Sequence, residues 1–315
     1  MLETSLPTAI FLMGPTATGK TQLALSLVQE FPLEIISVDS AMVYRGLDIG
    51  TAKPEASILA SVPHHLINIR EPIDSYSCAS FRQDALLAMK SVLSRGKIPL
   101  LVGGTLLYFR GLQYGLSELP ASDPHLREEL QHAAKTFGLA AMHRRLEEVD
   151  PQSAARIHPN DPQRILRALE VYTLSGLSLS LQWQQNKAQK LNYNIINIKI
   201  LPENRDYLHQ VIEARFLSML NQGLVAELSH LIAVQKLHQN LPALRSVGYR
   251  QVWAYLAGEC SYEEMVVKAI AATRQLAKRQ LTWLRQVQTA GEFSATHPSI
   301  AAQLKTFLHK KVDAF

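Results

Sequence analysis

The chain has 315 residues, 47% hydrophobic and 19% charged, with formal net charge +5 and a pI near 9.1. That is ordinary globular material with ample core, enough for one large domain or two. Two distant cysteines, Cys78 and Cys260, imply neither a disulfide framework nor a zinc site, and no stretch approaches the ~18 apolar residues of a membrane span.

Met1 to Pro7 carries Glu3 and no basic run, so it reads as neither a secretory signal nor a transit peptide. A soluble, cytoplasmic enzyme is expected. Ala9-Ile10-Phe11-Leu12-Met13 then reads as a buried strand. It leads into Gly14-Pro15-Thr16-Ala17-Thr18-Gly19-Lys20-Thr21, which matches G-x-x-x-x-G-K-[ST] without a departure. Leu23, Leu25, Leu27 and Val28, with Gln22 and Gln29, predict an amphipathic helix behind it. Strand, glycine-rich turn and helix start form an anion cradle. Backbone N–H groups and the positive helix end face phosphate oxygens, Lys20 adds a charge, and Thr21 offers a hydroxyl to a metal ion. The motif implies a bound di- or triphosphate, without saying which one or which bond breaks.

Glu34 to Val38, Ile98 to Val102 and Ile195 to Leu201 are three further apolar runs that predict buried parallel strands. Phe81 to Arg95 has helical periodicity between the second and third strands, so the first hundred residues read β-α-β-α-β. The expected fold class is α/β, a P-loop NTPase-like parallel sheet flanked by helices.

From about Ser117 to Lys190 helical patterns take over, with Asp-Pro steps at Asp123-Pro124, Asp150-Pro151 and Asp161-Pro162. Each places an N-cap acid before a proline at the first helical position. The domains are therefore read as a core of residues 1–116 plus 191–315 and an all-helical insertion of residues 117–190.

Asp39, at the end of the second strand, has three possible jobs: holding Mg²⁺, acting as a general base, or capping the next turn. Thr51-Ala52-Lys53-Pro54 and His64-His65 read as polar loops, with ordinary loop hydrogen bonding for the histidines. Gly103-Gly104 closes the third strand and lets a backbone or ligand approach closely; it reads either as a tight turn into a helix from Leu106 to Leu112 or as bringing the Thr105 hydroxyl to the crevice.

The C-terminal third carries a basic signal. Between Met265 and Gly291 there is no acidic residue, while Lys268, Arg274, Lys278, Arg279 and Arg285 are basic. Val266, Ile270, Ala277, Leu281 and Leu284 form the predicted buried face, and Arg274, Lys278 and Arg285 a neighbouring stripe. Arg245-Ser246-Val247-Gly248-Tyr249-Arg250 and Gln163-Arg164-Ile165-Leu166-Arg167 add two more basic clusters. Arginine and tyrosine planes stack single-stranded bases well, so the expected polyanion is RNA.

The P-loop, Asp48-Ile49-Gly50-Thr51-Ala52-Lys53-Pro54, Leu101-Val102-Gly103-Gly104-Thr105, His158-Pro159-Asn160-Asp161-Pro162-Gln163-Arg164, Gly248-Tyr249-Arg250-Gln251 and Lys278-Arg279-Gln280-Leu281-Thr282-Trp283-Leu284-Arg285 occur in that order. Together they resemble the bacterial tRNA dimethylallyltransferase (tRNA isopentenyltransferase) family over nearly the whole chain. The resemblance implies transfer of a dimethylallyl group from dimethylallyl diphosphate to N6 of adenosine 37, in tRNAs reading codons that start with U. It makes the diphosphate bound by Gly14 to Thr21 a leaving group, stabilised by Mg²⁺, Lys20, Thr21 and Arg215. It also makes Asp39 the proton acceptor and Thr105 an orienter of the target base. It assigns tRNA contact to Asp39, Ser40, Ala41, Met42, Thr105, Arg127, residues 163–167 and 245–250, and Lys278, Arg279, Gln280, Leu281, Thr282, Trp283, Leu284 and Arg285. Met42 departs from a common Gln, which removes a side-chain hydrogen bond to RNA, and Thr18 replaces a common Ser. The zinc-finger tail of eukaryotic members has no counterpart here, and family precedent is a monomer. A small-molecule kinase is the competing reading of the P-loop alone, but the sequence lacks a recognisable arginine-rich lid. An enzyme prenylating free AMP, ADP or ATP would not need the insertion or the basic motifs.

Overall fold

The structure, a computed structural model, describes residues 6–117, 119–185 and 189–312. Most of the N-terminal segment read above, residues 1–5, lies outside the described residues. The chain divides into two compact units, one of Met1–Leu112 with Asn192–Phe315 and the other of Gln113–Leu191.

The larger unit is built on a six-stranded, wholly parallel sheet of β1 (Thr8–Met13), β2 (Leu33–Val38), β3 (His64–His65), β4 (Ile98–Gly103), β5 (Asn194–Leu201) and β6 (Gly291–Ser294). Their order across the sheet is β3-β2-β4-β1-β5-β6. Central strands need no alternation because both faces are covered, and β2 accordingly buries all six of its residues. α1 (Lys20–Val28), α2 (Ala56–Ser61), α3 (Cys78–Ser94) and α4 (Leu106–Tyr114) punctuate the first four strands. After β5 come α10 (Arg205–Asn221), α11 (Leu224–Gln235), α12 (Tyr249–Leu256), α13 (Tyr262–Leu284) and, behind β6, α14 (Ile300–Val312); α5 to α9 belong to the second unit.

One core layer joins Ile10, Leu12, Ile35, Leu100 and Ile198 of the sheet to Leu23 and Leu27 of α1 and Leu304 and Leu308 of α14. On α13 the buried residues are Met265, Ala269, Ile270, Ala277 and Leu284, while Val266 and Leu281 are only half-buried. The helix is capped by Ser261, whose hydroxyl accepts from the Glu264 amide at 3.1 Å while Glu264 takes the Ser261 amide.

β3 and β6 are additions to the sequence reading, and His64-His65 is corrected from loop to edge strand, in register with Ile35 and Ile36. Two residues carry too little pattern to reveal a strand. The histidine bonds are local: His64 Nδ1 lies 2.7 Å from the Val62 carbonyl and His65 Nε2 lies 2.8 Å from Glu34.

The smaller unit holds α5 (Pro124–Phe137), α6 (Leu139–Val149), α7 (Pro151–Arg156), α8 (Pro162–Ser175) and α9 (Leu179–Gln185), around a core that includes Leu130, Leu146, Ile165, Leu169 and Val171. Each Asp-Pro step caps a helix as expected. Asp123, Asp150 and Asp161 accept from the amides of Leu126, Ser153 and Arg164 at 3.0, 3.0 and 3.1 Å. Among the described residues no single helix is long and apolar enough to cross a membrane.

Candidate active site

β1 ends at Met13, and Gly14 must turn there against β5: a Cβ on it would stand 2.5 Å from the Ile200 carbonyl. The loop then tightens on itself. The Thr18 hydroxyl donates to the Pro15 carbonyl at 2.9 Å, Ala17 takes a left-handed φ of 66°, and Gly19 one of 73°. α1 starts at Lys20, so its first-turn amides have no partner within the helix and are free for an anion. Lys20 Nζ folds back onto the Pro15 carbonyl at 2.5 Å, and Arg215 of α10 reaches the Thr16 hydroxyl at 3.4 Å. Burial, with the Arg215 charge beside it, pushes the Lys20 ammonium down to about 7, against an opposite pull from Asp39. Burial also lowers Arg215 from the usual guanidinium range, again opposed by Asp39. This end of the site therefore holds two desolvated cations whose charge an anion would stabilise.

Facing them is the turn after β2. Asp39 Oδ1 accepts the amides of Ala41 at 2.8 Å and Met42 at 3.2 Å, which fixes the carboxylate, and no donor among the described residues takes Oδ2. The Thr105 hydroxyl accepts the Ser40 amide at 3.2 Å, tying the start of α4 to the same turn. Met42 turns its sulfur toward the buried Ser37 hydroxyl at 3.9 Å.

These groups line one cavity of about 980 Å³, walled also by Ile212, Phe216 and Met219 of α10 and by Thr273, Leu276, Arg279 and Trp283 of α13. The structure thus brings together residues 16–21 of the P-loop, Asp39 to Met42, Thr105, Arg215, Arg245 to Gly248, Arg279 and Gln280, while Gly14 and Pro15 stand behind the lining. Arg250, Lys278 and Arg285 are exposed, and Arg110 lies over the Trp283 ring at 5.9 Å. Leu281 is half-buried and the Thr282 hydroxyl bonds back to the Lys278 carbonyl at 3.0 Å, while Leu284 is buried.

Two expectations change. Tyr249 is fully buried, so its ring offers no face to a base; it holds the 48–50 loop instead. Arg274 does not join a free cationic stripe, because it pairs with Glu213 of α10 at 2.7 Å. In the polar loop that follows, the Lys53 ammonium donates to the Tyr44 carbonyl at 2.8 Å, to Asn68 at 2.7 Å and to Asp48, stapling the loop.

In the helical unit Gln163 and Arg164 are exposed, whereas the Ile165 and Leu166 side chains lie in that unit's core. Arg167 pairs with buried Glu170 at 2.8 Å and donates to the Pro120 carbonyl at 2.7 Å. Glu170 also accepts from the Ser122 hydroxyl and the Asp123 amide, and Arg127 touches Ser122 at 3.3 Å.

The sequence reading missed Glu227. Its Oε2 accepts the amides of Asp48 at 3.1 Å and Ile49 at 2.8 Å, and its Oε1 accepts from the Tyr249 hydroxyl. Nothing local marks that residue, whose partners lie far away in the chain. Among the described residues no three His, Cys, Asp or Glu side chains are grouped to hold a metal. Thr21 stands in the cavity wall, and its hydroxyl is the kind of oxygen that Mg²⁺ takes beside phosphate and water.

The family model described as IPP transferase matches residues 42–287. The full-length tRNA isopentenylpyrophosphate transferase of Bacillus halodurans is 33% identical with a TM-score of 0.71, covering 98% of each chain. The tRNA delta(2)-isopentenylpyrophosphate transferase of Staphylococcus epidermidis is 32% identical with a TM-score of 0.68, covering 97% of this chain and 99% of its own. A eukaryotic dimethylallyltransferase acting on tRNA is 25% identical with a TM-score of 0.81, covering 97% of this chain and 79% of its own.

Proposed function

This chain belongs to the IPP transferase family, and on that premise we propose that it is a tRNA dimethylallyltransferase. It moves the dimethylallyl group of dimethylallyl diphosphate to N6 of adenosine 37, in tRNAs that read codons starting with U, and releases diphosphate. The observation that carries this reading is the cavity itself. A cationic P-loop end and the Asp39 carboxylate face one space of about 980 Å³, roomy enough for a prenyl diphosphate and a flipped base together.

The chemistry follows from what each group offers. The C1–O bond breaks and charge develops on the departing diphosphate, where Lys20, Arg215 and the α1 amides meet it. The N6 lone pair forms the new C1–N6 bond, and the N6 proton passes to Asp39. Because an adenine amine is a weak nucleophile, holding it in line with C1 contributes more than basicity does. Thr105, which fixes the Asp39 turn through Ser40, shares that orienting work. Thr21 would hold Mg²⁺ together with diphosphate oxygens and water, and the ion supplies charge neutralisation at the leaving group. The exposed Arg245, Arg250, Lys278, Arg279 and Arg285 supply cations for the RNA backbone.

The test incubates the protein with Mg²⁺, dimethylallyl diphosphate and an anticodon stem-loop that has adenosines at positions 36 to 38, with AMP replacing the RNA in a parallel tube. Mass spectrometry should find one C5H8 unit on adenosine 37, and none when guanosine replaces it. Prenylated AMP with unmodified RNA would overturn the acceptor assignment, and no product on either would overturn the reaction.

A further inference from the structure

Gln280 sits within the basic segment of α13, yet its carboxamide points away from solvent and into the diphosphate end of the cavity. Its Oε1 accepts the Thr16 amide at 2.9 Å, and its Nε2 donates to the Gly104 carbonyl at 2.9 Å. One side chain therefore ties the front limb of the P-loop to the turn that presents Thr105.

The surrounding residues are shaped for that contact. A Cβ on Gly104 would lie 2.5 Å from Gln280 Nε2 and 3.2 Å from the Gly14 carbonyl. A methyl group at 104 would thus push the carboxamide off its two partners. Its neighbour Gly103 serves a different contact, since a Cβ there would lie 2.0 Å from the Val38 carbonyl. The carboxamide accepts from an amide through its oxygen and donates to a carbonyl through its nitrogen at once; a carboxylate could do only the first. Thr16 meanwhile presents its hydroxyl to Arg215, so moving its backbone also moves a cation of the site.

We propose that Gln280 is a positioning residue for the diphosphate cradle, and not a contact for RNA. This rests on the diphosphate reading of the P-loop given above. Without the carboxamide, the Thr16 limb and the Gly104 turn lose their common partner, and the cradle must be ordered by the ligand when it arrives. Diphosphate affinity should fall, because that ordering is then drawn from binding.

The experiment titrates magnesium diphosphate, without RNA, into wild type, Gln280→Met and Gln280→Glu by calorimetry, with RNA stem-loop affinity measured in parallel. Methionine keeps the length and removes both bonds; glutamate keeps the acceptor and removes the donor. We expect diphosphate Kd to rise about fivefold or more in Gln280→Met, the order of one misplaced hydrogen bond, with RNA Kd within about twofold. KM for dimethylallyl diphosphate should rise in step while KM for RNA does not. Gly104→Ala should reproduce the loss, and the double variant should be no worse than the worse single, because both act on one link. Loss of RNA affinity at unchanged diphosphate affinity would overturn the proposal, as would unchanged affinity for both. The titration involves neither a prenyl group nor RNA, so it stands even if the acceptor assignment fails.

Discussion

The Tyr249 hydroxyl donates to Glu227 at 2.5 Å and accepts the Gly50 amide at 3.0 Å, while the same carboxylate takes the amides of Asp48 and Ile49. Four hydrogen bonds thereby join three segments at one partly buried point. The loop they hold, Asp48 to Gly50, runs into residues 50–54, a wall of the cavity. Tyr249→Phe leaves the Gly50 amide unpaired and Glu227 short of a donor, a cost of about 1–3 kcal/mol. A fall in Tm of a few degrees is expected, with diphosphate Kd changed less than turnover. Unchanged Tm by calorimetry would show that water replaces the hydroxyl.

Asp39→Asn separates the fold from the chemistry. The remaining carbonyl oxygen can still accept the amides of Ala41 and Met42, so the turn survives. What is lost is the proton acceptor, and turnover should drop by about 10²–10⁴-fold. RNA and diphosphate affinities should stay within a few-fold, measured by filter binding and calorimetry. A variant that retains wild-type turnover would remove Asp39 from the reaction.

Lys20 should give diphosphate binding a pH dependence. With the ammonium pushed down to about 7 by burial and Arg215, the ligand-free protein loses that charge as pH rises above 7. Binding then requires proton uptake, so Kd should weaken by up to about tenfold per pH unit between 7 and 9, relative to Lys20→Met. Stability runs the other way. The unfolded lysine keeps its proton up to 10.5, so the unfolded state binds more protons between 7 and 10.5, and ligand-free stability rises over that window. Identical pH profiles for wild type and Lys20→Met would contradict both signs.

Glu34, buried in β2, should govern acid stability. Its hydrogen bond with Arg95, then those with His65 and Lys97, hold the carboxyl down to about 2 against the effect of burial. A depressed folded value stabilises the protein above the ordinary 4.5 and is lost as pH falls toward 2. Thermal melts of wild type and Glu34→Gln should differ most above pH 5 and converge by about pH 2. A difference that persists at pH 2 would assign the effect to packing.

The sheet's four long strands, the P-loop and the three Asp-Pro caps were legible because each is a local pattern. An apolar run, a glycine spacing or a capping pair needs only its neighbours in the chain to act. Asp39 and Thr105 were legible as candidates for the same reason, since they follow strand ends of one parallel sheet. The tertiary structure alone decided which side of a residue faces which partner. Tyr249, read as a base-stacking ring, is enclosed, and Arg274 is spent on Glu213. Gln280 bonds Thr16 across 264 positions, and Glu227 reaches Asp48 across 179. Hydrogen bonds over such separations depend on where the packed helices α10 to α13 bring their faces, and no window of sequence contains both partners.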